Sequence, residues 1–150
     1  MQHTAILKPD DVLRGAEKRV IAVLRAWHGG DHAQNEIEAD LTASLGEARA
    51  TACITAFQQM LGLLAKHGLT ALTIMPVDTK GISQDEAALA RFVMAATEQR
   101  RDSALAEAVF LVAPAGLLPL LCVASRFGLP LLCEECRSRI LPSIAPVPRH

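Results

Sequence analysis

Apolar residues recur at helical spacing through most of this chain. Leu13, Ala16, Val20, Leu24 and Trp27 stand three or four positions apart, with Val12 and Val23 at the margin of the stripe. That spacing predicts an amphipathic helix from Asp10 or Asp11 to about Trp27, stopped by Gly29-Gly30. Asp31 restarts the chain as an N-cap, with Gln34 three residues on in the capping-box position. Ile37, Leu41 and Leu45 give this second helix a narrow apolar stripe, which Gly46 ends. A third helix is predicted over 47–67, with Ala50, Cys53, Ile54, Phe57, Met60, Leu61 and Leu64 on one face and Gly68 as its stop.

Beyond Gly68 the period changes. Leu69 to Val77 alternates in part and contains β-branched residues, which predicts a short strand or an extended crossing, limited by Pro76. Ser83-Gln84-Asp85-Glu86 then matches the S-x-x-E capping box, with Ile82 placed to staple onto the first turn. The fourth helix follows through Leu89, Phe92, Val93 and Ala96 to about Gln99. A fifth is predicted over 104–113 with Ser103 as its cap, and a sixth over 115–127 closed by Gly128. Leu131 to Ile140 reads as one or two further helical turns. Helices joined by short Gly- or Ser-marked turns predict an all-α fold, a single compact bundle of about five to six helices with an extended segment near 69–77. The expected division is a helical domain over 1–141 and a Pro-rich tail over 142–150, marked by Pro142, Pro146 and Pro148.

Composition sharpens this picture. The 150 residues are 51% hydrophobic before the nine glycines are counted, against about 45–50% with glycine in typical soluble domains. Fifteen basic residues balance sixteen acidic ones, so the broad basic footprint of a nucleic-acid binder is missing. Four Phe, one Trp and no Tyr leave little for the stacking platforms of single-strand binders. Cys53, Cys122, Cys133 and Cys136 do not form the framework of a secreted disulfide protein, and Met1 to Asp11 lacks a signal-peptide core, so the cytoplasm is the expected compartment. Ala108 to Ser125 is free of formal charge over eighteen residues, the lower edge of a membrane span. Pro114 and Pro119 divide it, and no Trp or Tyr flanks it, so a buried helical hairpin is preferred to a membrane crossing.

Candidate chemistry is sparse. Cys133 and Cys136 form a C-x-x-C pair, a spacing that serves half of a tetrahedral zinc site or a dithiol–disulfide couple. With His28 and His32, which flank the Gly29-Gly30 turn, they make a candidate Cys2His2 zinc site. Glu134 and Glu135 oppose a redox role, since like charge raises a thiol pKa. The alternative is plainer: two cysteines in an amphipathic segment, and His28 and His67 capping the last carbonyls of their helices. There is no G-x-S-x-G, no phosphate loop and no HExxH, so the sequence offers no catalytic residue and leans away from an enzyme. Arg14, Lys18 and Arg25 share a face of the first helix, and the second helix carries Glu36 and Asp40. In an antiparallel hairpin these are expected to meet, together with Glu47. The alternative is an acidic patch for a basic partner.

The order VIAVLRAWHGG, LLAKHG, LTIMP and SQDEAALARFVMAA resembles a group of small uncharacterised bacterial helical proteins over about residues 12–128. The match is mostly helix grammar, and it implies a helical fold without implying an activity. Some of that group have cysteines near the extended run, whereas Met75-Pro76-Val77-Asp78 has none. The functional expectation is therefore a non-enzymatic interaction or regulatory module that self-associates as a homodimer or contacts a protein partner. Its support is the surplus of apolar residues at Leu117–Leu121 and Leu129–Leu132. A small metal-binding or thiol-redox regulator using Cys133 and Cys136 is one alternative, and a membrane-associated helical protein is the other.

Overall fold

The computed structural model describes residues 6–7 and 13–144, with side chains from 13 to 134. Six helices dominate the described residues: α1 (Gly15–His28), α2 (Asp31–Leu45), α3 (Glu47–His67), α4 (Gln84–Thr97), α5 (Arg101–Ala108) and α6 (Leu117–Ile144). A 3-10 turn over Pro114–Gly116 leads into α6, and two short strands, β1 (Ile6–Leu7) and β2 (Ile82–Ser83), pair antiparallel. The fold is all-α, as the periodicity predicts.

Helix α4 runs through the centre. Ala87, Leu89, Ala90, Phe92, Val93 and Met94 are all fully enclosed, with α1, α5 and α6 packed around them. Helix α6 lies across α3 and α4, and Phe127 meets Phe57 of α3 at a ring-centroid distance of 5.0 Å. Trp27 meets the same Phe57 edge-on at 5.4 Å, so three elements share one aromatic contact.

Several boundaries differ from the sequence reading, each for a local reason. Helix α1 begins at Gly15, where the Arg14 amide donates to Glu17 Oε1 at 3.0 Å; residues 8–12, which include the expected start at Asp10 or Asp11, lie outside the described residues. The cap of α2 is Gly30, not Asp31, because the turn needs φ near 99°, which glycine adopts without strain. Gln34 consequently turns back and donates to the Trp27 carbonyl at 3.0 Å. Helix α4 ends with Gln99 at φ 61°, and the Arg100 amide donates to the Ala95 carbonyl, a Schellman closure made without glycine. As a result α5 starts at Arg101 rather than after Ser103, and it ends at Ala108.

The largest difference is in α6. Gly128, read as a stop, and Pro130 after it lie inside one continuous helix that reaches Ile144. A Cβ at Gly128 would run into Thr97 Oγ1 and lie 2.9 Å from Val93 Cγ1. Gly128 is therefore the point where α6 touches α4, not a terminator. Pro130 costs the helix a backbone bond, of order 3 kcal/mol in a helix interior. Phe127 and Leu131, both fully buried on either side of it, offset that cost. The helical turns expected over Leu131 to Ile140 are thus a continuation of α6. Residues from Pro142 overlap the segment read as a Pro-rich tail, and 145–150 lie outside the described residues.

Candidate functional site

Two regions of the surface are built in ways the core does not require: a cleft beside α1 and the outer face of α6.

The cleft rests on a buried ion pair. Glu86 is the third residue of α4, and its carboxylate closes the predicted capping box: the Ser83 amide donates to Oε1 at 2.9 Å, and the Glu86 amide donates to Ser83 Oγ at 3.0 Å. Arg25 of α1 then grips the same carboxylate with Nε to Oε2 and Nη2 to Oε1, both at 2.8 Å. Glu86 is fully buried and the Arg25 side chain is 9% exposed. Burial pushes the Glu86 carboxyl up, but the Arg25 bonds, the Ser83 and Met75 amides and the guanidinium charge together hold it below its ordinary value.

This pair organises the extended segment. The Met75 amide donates to Glu86 Oε2 at 2.9 Å, the Thr73 amide to Asp85 Oδ2 at 2.7 Å, and Ser83 Oγ to the Thr73 carbonyl at 2.7 Å. Arg25 Nη1 donates to the Thr79 carbonyl at 2.8 Å, and Nη2 donates to the Gly81 carbonyl at 2.6 Å. Residues 69–77 are thus an extended crossing held by the start of α4 rather than a strand; the strand is Ile82–Ser83. Between this segment, α1 and α2 a cleft of about 430 Å³ remains. Its walls are apolar (Ile21, Ile37, Val77, Ile82), and Lys18, Arg25, Glu36, Asp40 and Lys80 supply its polar groups.

The expected charge register between the first two helices is replaced. Arg25 is engaged by Glu86, and Arg14 by Glu98 at 2.8 Å. Arg19 also reaches α2, 3.9 Å from Asp40, and lies 3.2 Å from Glu134 of α6. Lys18 lines the cleft together with Glu36 and Asp40.

The candidate metal ligands are spread out. His28 caps its own helix, with Nδ1 2.9 Å from the Leu24 carbonyl, and exposed His32 pairs with Glu36 at 3.2 Å. Cys133 is a free, exposed thiol on α6; Cys136 is one turn further along, and its side chain lies outside the described residues. Among the described residues no three His, Cys, Asp or Glu side chains converge as metal ligands. Cys53 is buried, its Sγ 3.5 Å from the Phe127 carbonyl, and burial pushes the thiol up to about 12 despite Arg19 nearby. It is an inert core residue.

Chain similarity adds nothing to this geometry. No family model matches, and neither a curated protein nor a solved structure is found to be similar.

The outer face of α6 is the second region. Leu120, Val123, Ala124, Phe127 and Leu131 point into the core. Leu118 and Leu129 point away from it, 59% and 53% exposed, with exposed Cys122 between them and half-buried Leu121, Ser125 and Leu132 beside them. Arg126 is the single formal charge between 117 and 133, and it leans toward Gln59 of α3 at 3.3 Å. The stretch Pro114–Glu134 is long and apolar enough to cross a membrane, and 39% of its apolar eighteen-residue window is buried within the fold.

Proposed function

We propose that this protein is a non-enzymatic helical interaction module whose α6 outer face pairs with a second copy of the chain. One observation carries the reading: Leu118, Cys122, Ser125, Leu129 and Leu132 recur at alternating spacings of four and three, an a/d-like seam about 20 Å long left open on a folded core. An apolar seam of this kind is self-complementary, and two-fold pairing is the commonest way to cover one. The small Ser125 at its middle leaves room for two helices to cross closely. The near-neutral chain, the lack of any formal charge at the seam positions and the free thiols fit a cytoplasmic dimer with no nucleic-acid partner.

Light scattering of Leu118→Glu/Leu129→Glu tests the proposal. Both side chains point outward, so the variant should stay folded and scatter as a single chain while the unmodified protein scatters as a pair. Equal masses for the two proteins overturn it.

A membrane surface is the second reading, favoured by the apolar length of Pro114–Glu134 and by Phe110, 77% exposed in the turn before it. Fractionation without detergent separates the two, because a seam dimer stays in the supernatant.

A further inference from the structure

The cleft between α1, α2 and the 77–82 segment goes beyond the α6 reading and is independent of it. Its volume falls in the range of small-molecule sites, about 300–1,000 Å³. Three separate elements wall it.

The polar groups are unevenly committed. Glu36 lies 3.2 Å from His32 and Asp40 3.9 Å from Arg19, and both carboxylates are largely solvent-exposed. Lys80 has no ion-pair partner among the described residues, and it is exposed at the rim. Arg25 has five N–H bonds to give. Nε, both Nη2 bonds and one Nη1 bond are used, which leaves one Nη1 N–H without an acceptor among the described residues. This donor sits on a side chain that is nine-tenths buried and lines the cleft. An uncommitted cation at the rim and an uncommitted guanidinium donor in the wall ask for an anion with planar oxygens. The apolar walls ask for a hydrocarbon body behind it.

We propose that this cleft binds a small organic carboxylate with an apolar body, the carboxylate held by Lys80 and the remaining Nη1 N–H of Arg25, the body lying between Ile21, Ile37, Val77 and Ile82. Glu36 and Asp40 turn away species with a second negative charge.

Calorimetric titration of the full chain with octanoate tests this, with octanol and octylamine as controls. Octanoate should bind saturably at one site per chain and more tightly than either control. Lys80→Glu, at an exposed loop position that leaves the core untouched, should weaken octanoate by about tenfold or more, the worth of a charge-assisted hydrogen bond, while leaving octanol unchanged. Ile37→Trp, which fills the cleft, should abolish binding of both. Absence of saturable octanoate binding, octylamine binding more tightly than octanoate, or octanoate binding untouched by either substitution overturns the assignment.

Discussion

Helices α4 and α6 are both rich in apolar residues, yet the protein encloses one and leaves the other half open. Helix α4 has five alanines among its fourteen residues, and the buried Ala87, Ala90, Ala95 and Ala96 let α1, α5 and α6 approach from several directions. Its buried polar residues, Ser83 at the cap and Glu86, are both matched, one by the helix's own first turn and the other by Arg25. Helix α6 carries leucines around its circumference; it packs on α3 and α4 along one side, and Gly128 brings it against Thr97 and Val93. Being apolar all round is therefore not enough to make a helix central. Centrality requires neighbours that can come close, and α6 has them on one side.

The comparison can be broken first at the α4 end. Removing one partner of the buried pair, by Arg25→Met or Glu86→Gln, should cost about 3–5 kcal/mol in chemical denaturation, because the remaining group is left buried without its counterpart. The 73–81 segment should lose hydrogen-exchange protection together with it, since its carbonyls and amides bond to these two side chains. A loss below about 1 kcal/mol would mean that the pair does not anchor the segment.

The two sides of α6 give the next contrast. Phe127→Ala should destabilise by about 3–5 kcal/mol, because it opens a cavity beside Phe57. Leu129→Ala, two residues away, should change the stability of the isolated chain by no more than about 0.5 kcal/mol, as expected of a surface position. Similar losses for the two would erase the distinction between a core face and an open face.

Acid should act on the enclosed side as well. The Glu86 carboxyl is held below its ordinary value in the folded chain, so its stabilisation is complete above the unfolded value, about 4.3. It is lost as pH falls through the folded value, where the unfolded chain takes up the proton more readily. A melting series from pH 7 downward should show Tm falling below about pH 4, with a shallower fall in Glu86→Gln. Parallel acid limbs would show that Glu86 contributes no linkage. Smaller still, Ser83→Ala should cost about 0.5–2 kcal/mol by removing the acceptor for the Glu86 amide.

Much of this architecture is legible along the chain because its signals are local. The third helix, over 47–67, and the Ser83–Glu86 box are written within a few residues of where they act. What is not legible is partnership across distance. Arg25 follows Ile21 by four positions and so sits on the buried side of its helix, a charge among apolar neighbours, which was the available signal that it needs a buried acid. Grouping it with Arg14 and Lys18 as a basic face obscured this, and the partner, Glu86, is sixty-one residues away. Gly128 and Pro130 mislead for the opposite reason. Locally they stop a helix, but Phe127 and Leu131 bury enough surface in the core to carry it through. The cleft has no linear signature, since its walls come from three elements; even its rim lysine, Lys80, is an ordinary loop residue in the sequence.

The open face of α6 decides whether the protein pairs. Sedimentation equilibrium of the unmodified protein, without detergent and over a wide concentration range, measures directly whether that face is covered. The account predicts a mass that rises with concentration to twice the 16.1 kDa of the chain and stops there. A single-chain mass at every concentration would contradict it.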